Sequence, residues 1–179
     1  MKILRFFSLG VLFTLVALLL FSWLVLPSAY TVDVSVPVEA SKQDVYEQIN
    51  TLQNWQNWAL PSMENNGNNY TGPVSGEGAV FEWKDAESEG RLEIVETTPY
   101  QEVQLRTLTS GGQFESEITF YLHEENGVTL VKWQEEGDYG WNPLTRLTAS
   151  MLGFQEKISE NYQQSLQRLK DYLESKNAT

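Results

Sequence analysis

Residues 143–174 read PLTRLTASMLGFQEKISENYQQSLQRLKDYLE. Within them Leu144, Leu147, Met151, Phe154, Ile158, Tyr162, Leu166, Leu169 and Leu173 recur at intervals of three and four. That spacing lays them along one stripe of an amphipathic helix. Asn142 suits the cap and Pro143 the first helical position. Continuous to Glu174, such a helix runs about 46 Å at 1.5 Å per residue. Gly153 is where it would bend or break. So long a stripe has to be covered by something equally large and apolar.

The residues before it supply that surface. Val32, Val34, Val36 and Val38 alternate with Asp33, Ser35 and Pro37, a period-two strand in which Pro37 marks an end or an edge. Ser41 can cap a helix through Val45, Tyr46 and Ile49, and Leu52, Trp55 and Trp58 continue a helical spacing until Pro61. An Asn-rich loop, Glu64 to Asn69, follows. Strand-like runs then cover Ala79 to Lys84, Arg91 to Thr97, Glu102 to Thr109, Phe114 to His123 and Val128 to Glu136. They are separated by Asp85 to Gly90, Pro99-Tyr100, Ser110-Gly111-Gly112 and Asn126-Gly127. The last is the clearest turn signal, because a type I′ turn needs positive φ at both central residues. Connections this short imply an antiparallel meander, since parallel strands need crossovers of a dozen or more residues. The fold class is therefore α+β: a curved antiparallel sheet of about six strands gripping a long C-terminal helix.

Residues Phe6 to Leu26 carry no charge, with Lys2 and Arg5 before them and Pro27 after. A bilayer core about 30 Å thick needs roughly 20 apolar residues of helix. The run reads as a transmembrane anchor over residues 1–29, with a second region over 30–176. The basic residues lie only on its N-terminal side, which predicts a cytoplasmic N-terminus and a domain on the extracytoplasmic, periplasmic side of the inner membrane. A cleaved signal peptide is the alternative, although its apolar core is usually about 7–15 residues. Both readings export the domain. The linker Pro27 to Thr31 spans at most about 18 Å, so the domain sits close to the headgroups.

Composition narrows the chemistry. The net charge is -12, from 12 basic and 24 acidic residues, and every acidic residue follows the anchor. Such a field repels phosphate backbones and anionic headgroups, which argues against nucleic acid as a partner. The absence of cysteine removes disulfides, thiol nucleophiles and thiolate metal sites. His123, the single histidine, lies beside Glu124-Glu125 near a turn, too little for a zinc site or a Ser-His pair. No metal or other cofactor is expected. Gly72 to Gly78 does not follow a phosphate-loop pattern. Glu115 and Glu117 fall on the solvent side of their strand. Glu135, Glu136 and Asp138 cluster near Arg146, either as a surface ion-pair group or as a polar group at a cavity mouth.

Several stretches together resemble a known family. They are Val32-Asp-Val-Ser-Val-Pro, Ser41 to Ile49, Trp55-Gln-Asn-Trp58 with Pro61, and Tyr70-Thr-Gly-Pro73. Further ones are Gly76-Glu-Gly78 before Trp83, Gly127-Val-Thr-Leu-Val-Lys-Trp133 leading to Gly137, and Leu166-Gln-Arg-Leu169-Lys170. Thr31 to about Glu174 resembles the polyketide cyclase/dehydrase branch of the START-like, Bet v 1-like helix-grip superfamily. The resemblance implies a cavity between sheet and C-terminal helix that takes apolar or amphipathic small molecules, lipids among them. Some members are cyclases or dehydratases, but there is no shared catalytic set, so the fold is implied more firmly than any reaction. The anchor is an addition to the family pattern. The cavity walls expected here are Trp58, Trp83, Leu105, Ile118, Val131, Trp133, Met151 and Phe154. Three readings remain: a membrane-tethered binder, an enzyme with a buried polar dyad in its pocket, and a scaffold whose tryptophans fill the cavity.

Overall fold

The computed structural model describes residues 2–59, 68–84, 89–112 and 114–177, with side chains from residue 6 to residue 176 of these. Pro61, the part of the Asn-rich loop from Glu64 to residue 67, and residues 85–88 of the polar turn lie outside the described residues.

Helix α1 covers Lys2–Val25. Its span Phe6–Val25 is long and apolar enough to cross a membrane. Strand β1, Ala29–Val38, follows almost at once, so the connection is shorter than the sequence pattern suggested. Helix α2, Lys42–Asn50, starts where Ser41 Oγ accepts a hydrogen bond from the Asp44 amide at 3.2 Å, which satisfies one of the orphan donors of the first turn. A 3-10 turn over Leu52–Asn57 carries Trp55 inward.

The meander comprises β2 (Asn69–Thr71), β3 (Val80–Lys84), β4 (Glu89–Thr98), β5 (Glu102–Thr109), β6 (Phe114–Glu125) and β7 (Val128–Asp138). All pairs are antiparallel, and the order across the sheet is β1-β7-β6-β5-β4-β3-β2. Among the described residues there are thus seven strands; the additional one, β2, is only three residues long. β1 pairs with β7 alone, so Pro37 sits on an edge strand, where a missing amide is tolerated. Asn126 and Gly127, both at positive φ (53° and 80°), close the β6–β7 hairpin. A register shift between Ile94 and Glu96 bends β4.

The C-terminal stripe is not one helix. α3 covers Pro143–Met151 and α4 covers Phe154–Asn177. Gly153, at φ 60°, makes the break; a residue with a Cβ meets steric cost there. Asn142 Oδ1 accepts from the Leu144 amide at 2.9 Å, and Pro143 occupies the first turn of α3.

α4 closes the inner face of the sheet. Leu166, Leu169 and Leu173 join Val34, Val36, Val38, Ile49, Trp55, Trp58, Phe120, Val131 and Trp133 in one core cluster. The outer face is polar, with Lys132–Asp33 at 3.0 Å and Arg106–Glu115 at 3.2 Å; exposed pairs of this kind contribute at most about 1 kcal/mol each. Leu169→Ala is expected to lower stability by roughly 2–5 kcal/mol. Chemical denaturation of the full chain in detergent, followed by tryptophan fluorescence, measures it; a loss below about 1 kcal/mol would mean that α4 does not carry the core.

Candidate functional site

Strand register determines what the interior offers. Opposite one another on the inner face lie Val34, Trp133, Phe120 and Val103. The next row is Val32, Glu135, Ile118, Leu105 and Ile94. The row after that is Tyr30, Gly137, Ser116, Thr107 and Leu92, followed by Phe114, Thr109, Gly90 and Trp83. The inner face therefore changes from aliphatic and aromatic to hydroxyl-bearing toward the end where β1 begins.

At the aliphatic end the interior is packed solid. Trp55, Trp58, Phe120 and Trp133 meet with ring centroids 4.7–6.2 Å apart. Trp133 stacks on Tyr162 of α4 at 3.9 Å. Beyond this stack two cavities open between sheet and helices. One, about 460 Å³, lies under α3 and the start of α4. Tyr30, Thr107, Phe114, Ser116, Glu135, Ala149, Leu152, Phe154 and Ile158 are among its walls. The other, about 420 Å³, is walled by Trp55, Phe81, Trp83, Ile118, Trp133 and Arg168 among others. Thr107, Thr109 and Tyr162 border both. Each has the size of a small-molecule site.

The first cavity holds one buried carboxylate cluster, around Glu135, while Ser110, Glu115, Asp138, Thr145 and Thr148 also border it. Glu135 is buried, at 5% exposure. Tyr30 Oη donates to its Oε1 at 2.8 Å, and the Tyr162 hydroxyl donates to its Oε2. Burial holds the Glu135 carboxyl above its ordinary value, opposed by hydrogen bonds from Tyr30 and Ser116. The Tyr30 phenol is raised as well, first by burial and then by the Glu135 charge beside it. Tyr30 reaches this position because its ring lies flat on the backbone of Gly137. A Cβ there would stand 2.5 Å from Tyr30 Cζ. Gly90 plays the same part beneath Trp83, where a Cβ would fall 2.2 Å from Cζ2.

Of the wall residues anticipated from sequence, Trp83, Ile118 and Trp133 border the second cavity and Phe154 the first. Trp58, Leu105 and Val131 lie behind the walls in the packed core. Met151 points outward at 76% exposure, because the break at Gly153 frees α3 from the stripe of α4. Glu135 is not part of a surface ion-pair group: it faces inward, and Arg146 instead donates to the Gly140 carbonyl at 2.8 Å. Sequence reasoning missed Tyr30, Thr107, Ser116 and Tyr162. The period of β7 was the available signal, since Val131 and Trp133 inward put Glu135 inward too. His123 is exposed on β6.

Within the walls, Thr107 Oγ1 and Trp133 Nε1 are buried and have no hydrogen-bond partner among the described residues. Buried polar atoms are ordinarily paired, so each has a hydrogen-bonding capacity that the surrounding side chains do not use. A carboxylate, two phenols and two hydroxyls at the end of an apolar chamber can hold a hydroxyl or amine and can exchange a proton with it.

A single antiparallel sheet closed by a C-terminal helix, with cavities between, is the helix-grip fold. A sequence profile described as polyketide cyclase/dehydrase and lipid transport matches residues 29–174, and the chain belongs to that family. Solved structures share the fold. A Chromobacterium violaceum protein is 16% identical, with a TM-score of 0.59 over 80% of this chain and 96% of its own. The Aha1 dimer from Colwellia psychrerythraea is 17% identical, at 0.55 over 80% and 96%. DynU16, a protein of the dynemicin biosynthetic locus, is 16% identical, at 0.58 over 80% of this chain, which spans 47% of its length. Comparison with curated proteins gave no match.

Two outcomes test this geometry. Glu135 has a raised value in the fold, so its proton contributes stability fully below the ordinary glutamate range, and the contribution is lost as pH rises through the raised value. Thermal melts of wild type and Glu135→Gln between about pH 4 and pH 8 should show the variant gaining on wild type as pH rises; a pH-independent gap refutes the assignment. Gly137→Ala should displace Tyr30 and cost about 1–3 kcal/mol by overpacking, read in the same melts.

Proposed function

We propose that this protein is a membrane-tethered binder of an apolar or amphipathic small molecule, a lipid being the leading class. The observation that carries the reading is the pair of adjoining cavities, whose exposed wall area is mostly apolar and whose buried polar cluster is Tyr30, Ser116 and Glu135. The ligand's apolar body lies between sheet and helices, and its polar end meets that cluster. The cluster offers a carboxylate and hydroxyl oxygens in a strongly acidic chain. It therefore favours a ligand end that donates hydrogen bonds, a hydroxyl or an amine, over a phosphate or carboxylate. The family's description includes lipid transport, in keeping with such cargo. In this reading α1 serves as the tether, and Lys2 and Arg5 before it support an extracytoplasmic domain. The anchor and the helix-grip region divide near residue 29.

A second reading is catalysis. It is favoured by one observation, the buried Glu135 held between two tyrosine hydroxyls, which is the polar set that an acid–base step on an apolar substrate requires.

Full-length protein, stripped of lipid and offered an extract of membrane lipids, should retain a discrete apolar species in native mass spectra. Ala149→Trp, which fills the first cavity, should reduce occupancy at least tenfold. Protein that stays empty under these conditions ends the binding reading. Loss of one water from the bound species in wild type, absent in Glu135→Gln, would establish catalysis instead. A topology reporter after Thr179 should read extracytoplasmic.

A further inference from the structure

We propose that α3, with Trp141 before it, is a second membrane contact: a short helix lying in the interfacial layer of the leaflet from which α1 emerges. The proposal rests on reading α1 as the tether and adds to it the surface that touches lipid.

Depth is the first argument. Ser22 lies inside the apolar span Phe6–Val25, three residues from its end. On a helix that is about 4.5 Å. Ser22 is fully buried, and its hydroxyl donates to the Pro143 carbonyl at 2.6 Å. Arg146 reaches the Leu26 carbonyl at 3.5 Å. The first turn of α3 is thereby fixed at the level of the last turn of the membrane helix. If α1 crosses a bilayer, α3 has nowhere to lie but its interface.

Composition is the second. Gly140 to Phe154 contains no acidic residue, in a chain with 24 of them, and its single charge is Arg146. Trp141 is 80% exposed, Leu144 56%, Met151 76% and Leu152 63%. Leu144 and Met151 stand two turns apart on one face of α3, and α3 packs beside α1. Tryptophan collects at the membrane–water boundary, and arginine extends its charge toward the headgroups. Amphipathic helices of this kind bury their apolar face roughly 5–10 Å into the boundary. Elsewhere the acidic surface of the domain is repelled by anionic lipid, so this stretch is the part of it that tolerates the contact.

The inner side of α3 also bears on the cavity. Thr145, Thr148 and Ala149 line the Glu135 chamber. One short helix thus separates the chamber from the bilayer.

The chain has no cysteine, so an introduced one is unique. Leu144→Cys, Met151→Cys and, at the far hairpin, Asn126→Cys are each labelled with an environment-sensitive dye in the full chain and reconstituted into phosphatidylcholine vesicles. Dyes at 144 and 151 should be blue-shifted and quenched several-fold by nitroxide-bearing lipid, while the dye at 126 reports water. Dyes at 144 and 151 as wet as the one at 126 overturn the proposal. So do dyes that are shielded yet unquenched by the lipid nitroxide, because a second copy of the chain or another protein then covers the face. Flotation of the chain with the vesicles reports on the tether separately, and native mass spectra of the same samples report on cavity binding.

Discussion

Trp133 lying on Tyr162 is the contact on which the interior depends. It joins the middle of β7 to α4, and it stands where packed core gives way to open chamber. On one side are Trp55, Trp58 and Phe120, rings that fill the sheet's concavity and bury a large apolar area each. On the other side the same inner face carries Tyr30, Ser116, Thr107 and Thr109, which are too small or too polar to close the gap under α3. A scaffold with a fully filled grip would need large apolar residues in those rows as well. The chain instead places a glycine at 137 and another at 90, and uses the room for Tyr30 and Trp83.

Much of the architecture was legible because it obeys simple periods. Val32 to Val38 alternate, and all four valines are buried. Asn126-Gly127 demanded a tight hairpin and made one. The capping residues Ser41 and Asn142 both act as caps. What escaped was long-range or conditional. β2 is three residues long, with no buried residue, next to an Asn-rich stretch, so no period marks it. The break at Gly153 was itself legible, but the spacing of three and four continues through it and hid that Met151 leaves the stripe.

The site was harder to read than the fold, for two physical reasons. Its members are far apart in the chain: Tyr30 and Glu135 are 105 residues from each other, joined only through the β1–β7 register. A charged residue is also ordinarily assigned to the surface, because burying a carboxylate is costly unless it is hydrogen-bonded. Glu135 meets that condition through two phenols and Ser116. The strand period pointed inward and the charge pointed outward, and hydrogen bonding decided between them.

The polar cluster and the apolar helix α1 share one end of the sheet. Tyr30 follows Leu26, the last residue of the apolar run, by four positions, and Glu135 is two residues from Gly137, which pairs with Tyr30. The aromatic plug lies at the other end, toward Val38 and the β6–β7 hairpin. On the proposed tethered-binder reading, an amphipathic molecule with its polar group at Glu135 has that group nearest the headgroup layer and its apolar body directed toward Trp133. This orientation keeps the polar end near water as the molecule leaves, so the costly step is exposure of the apolar body. On the same reading α3, which borders this chamber, is the element positioned to shorten that exposure.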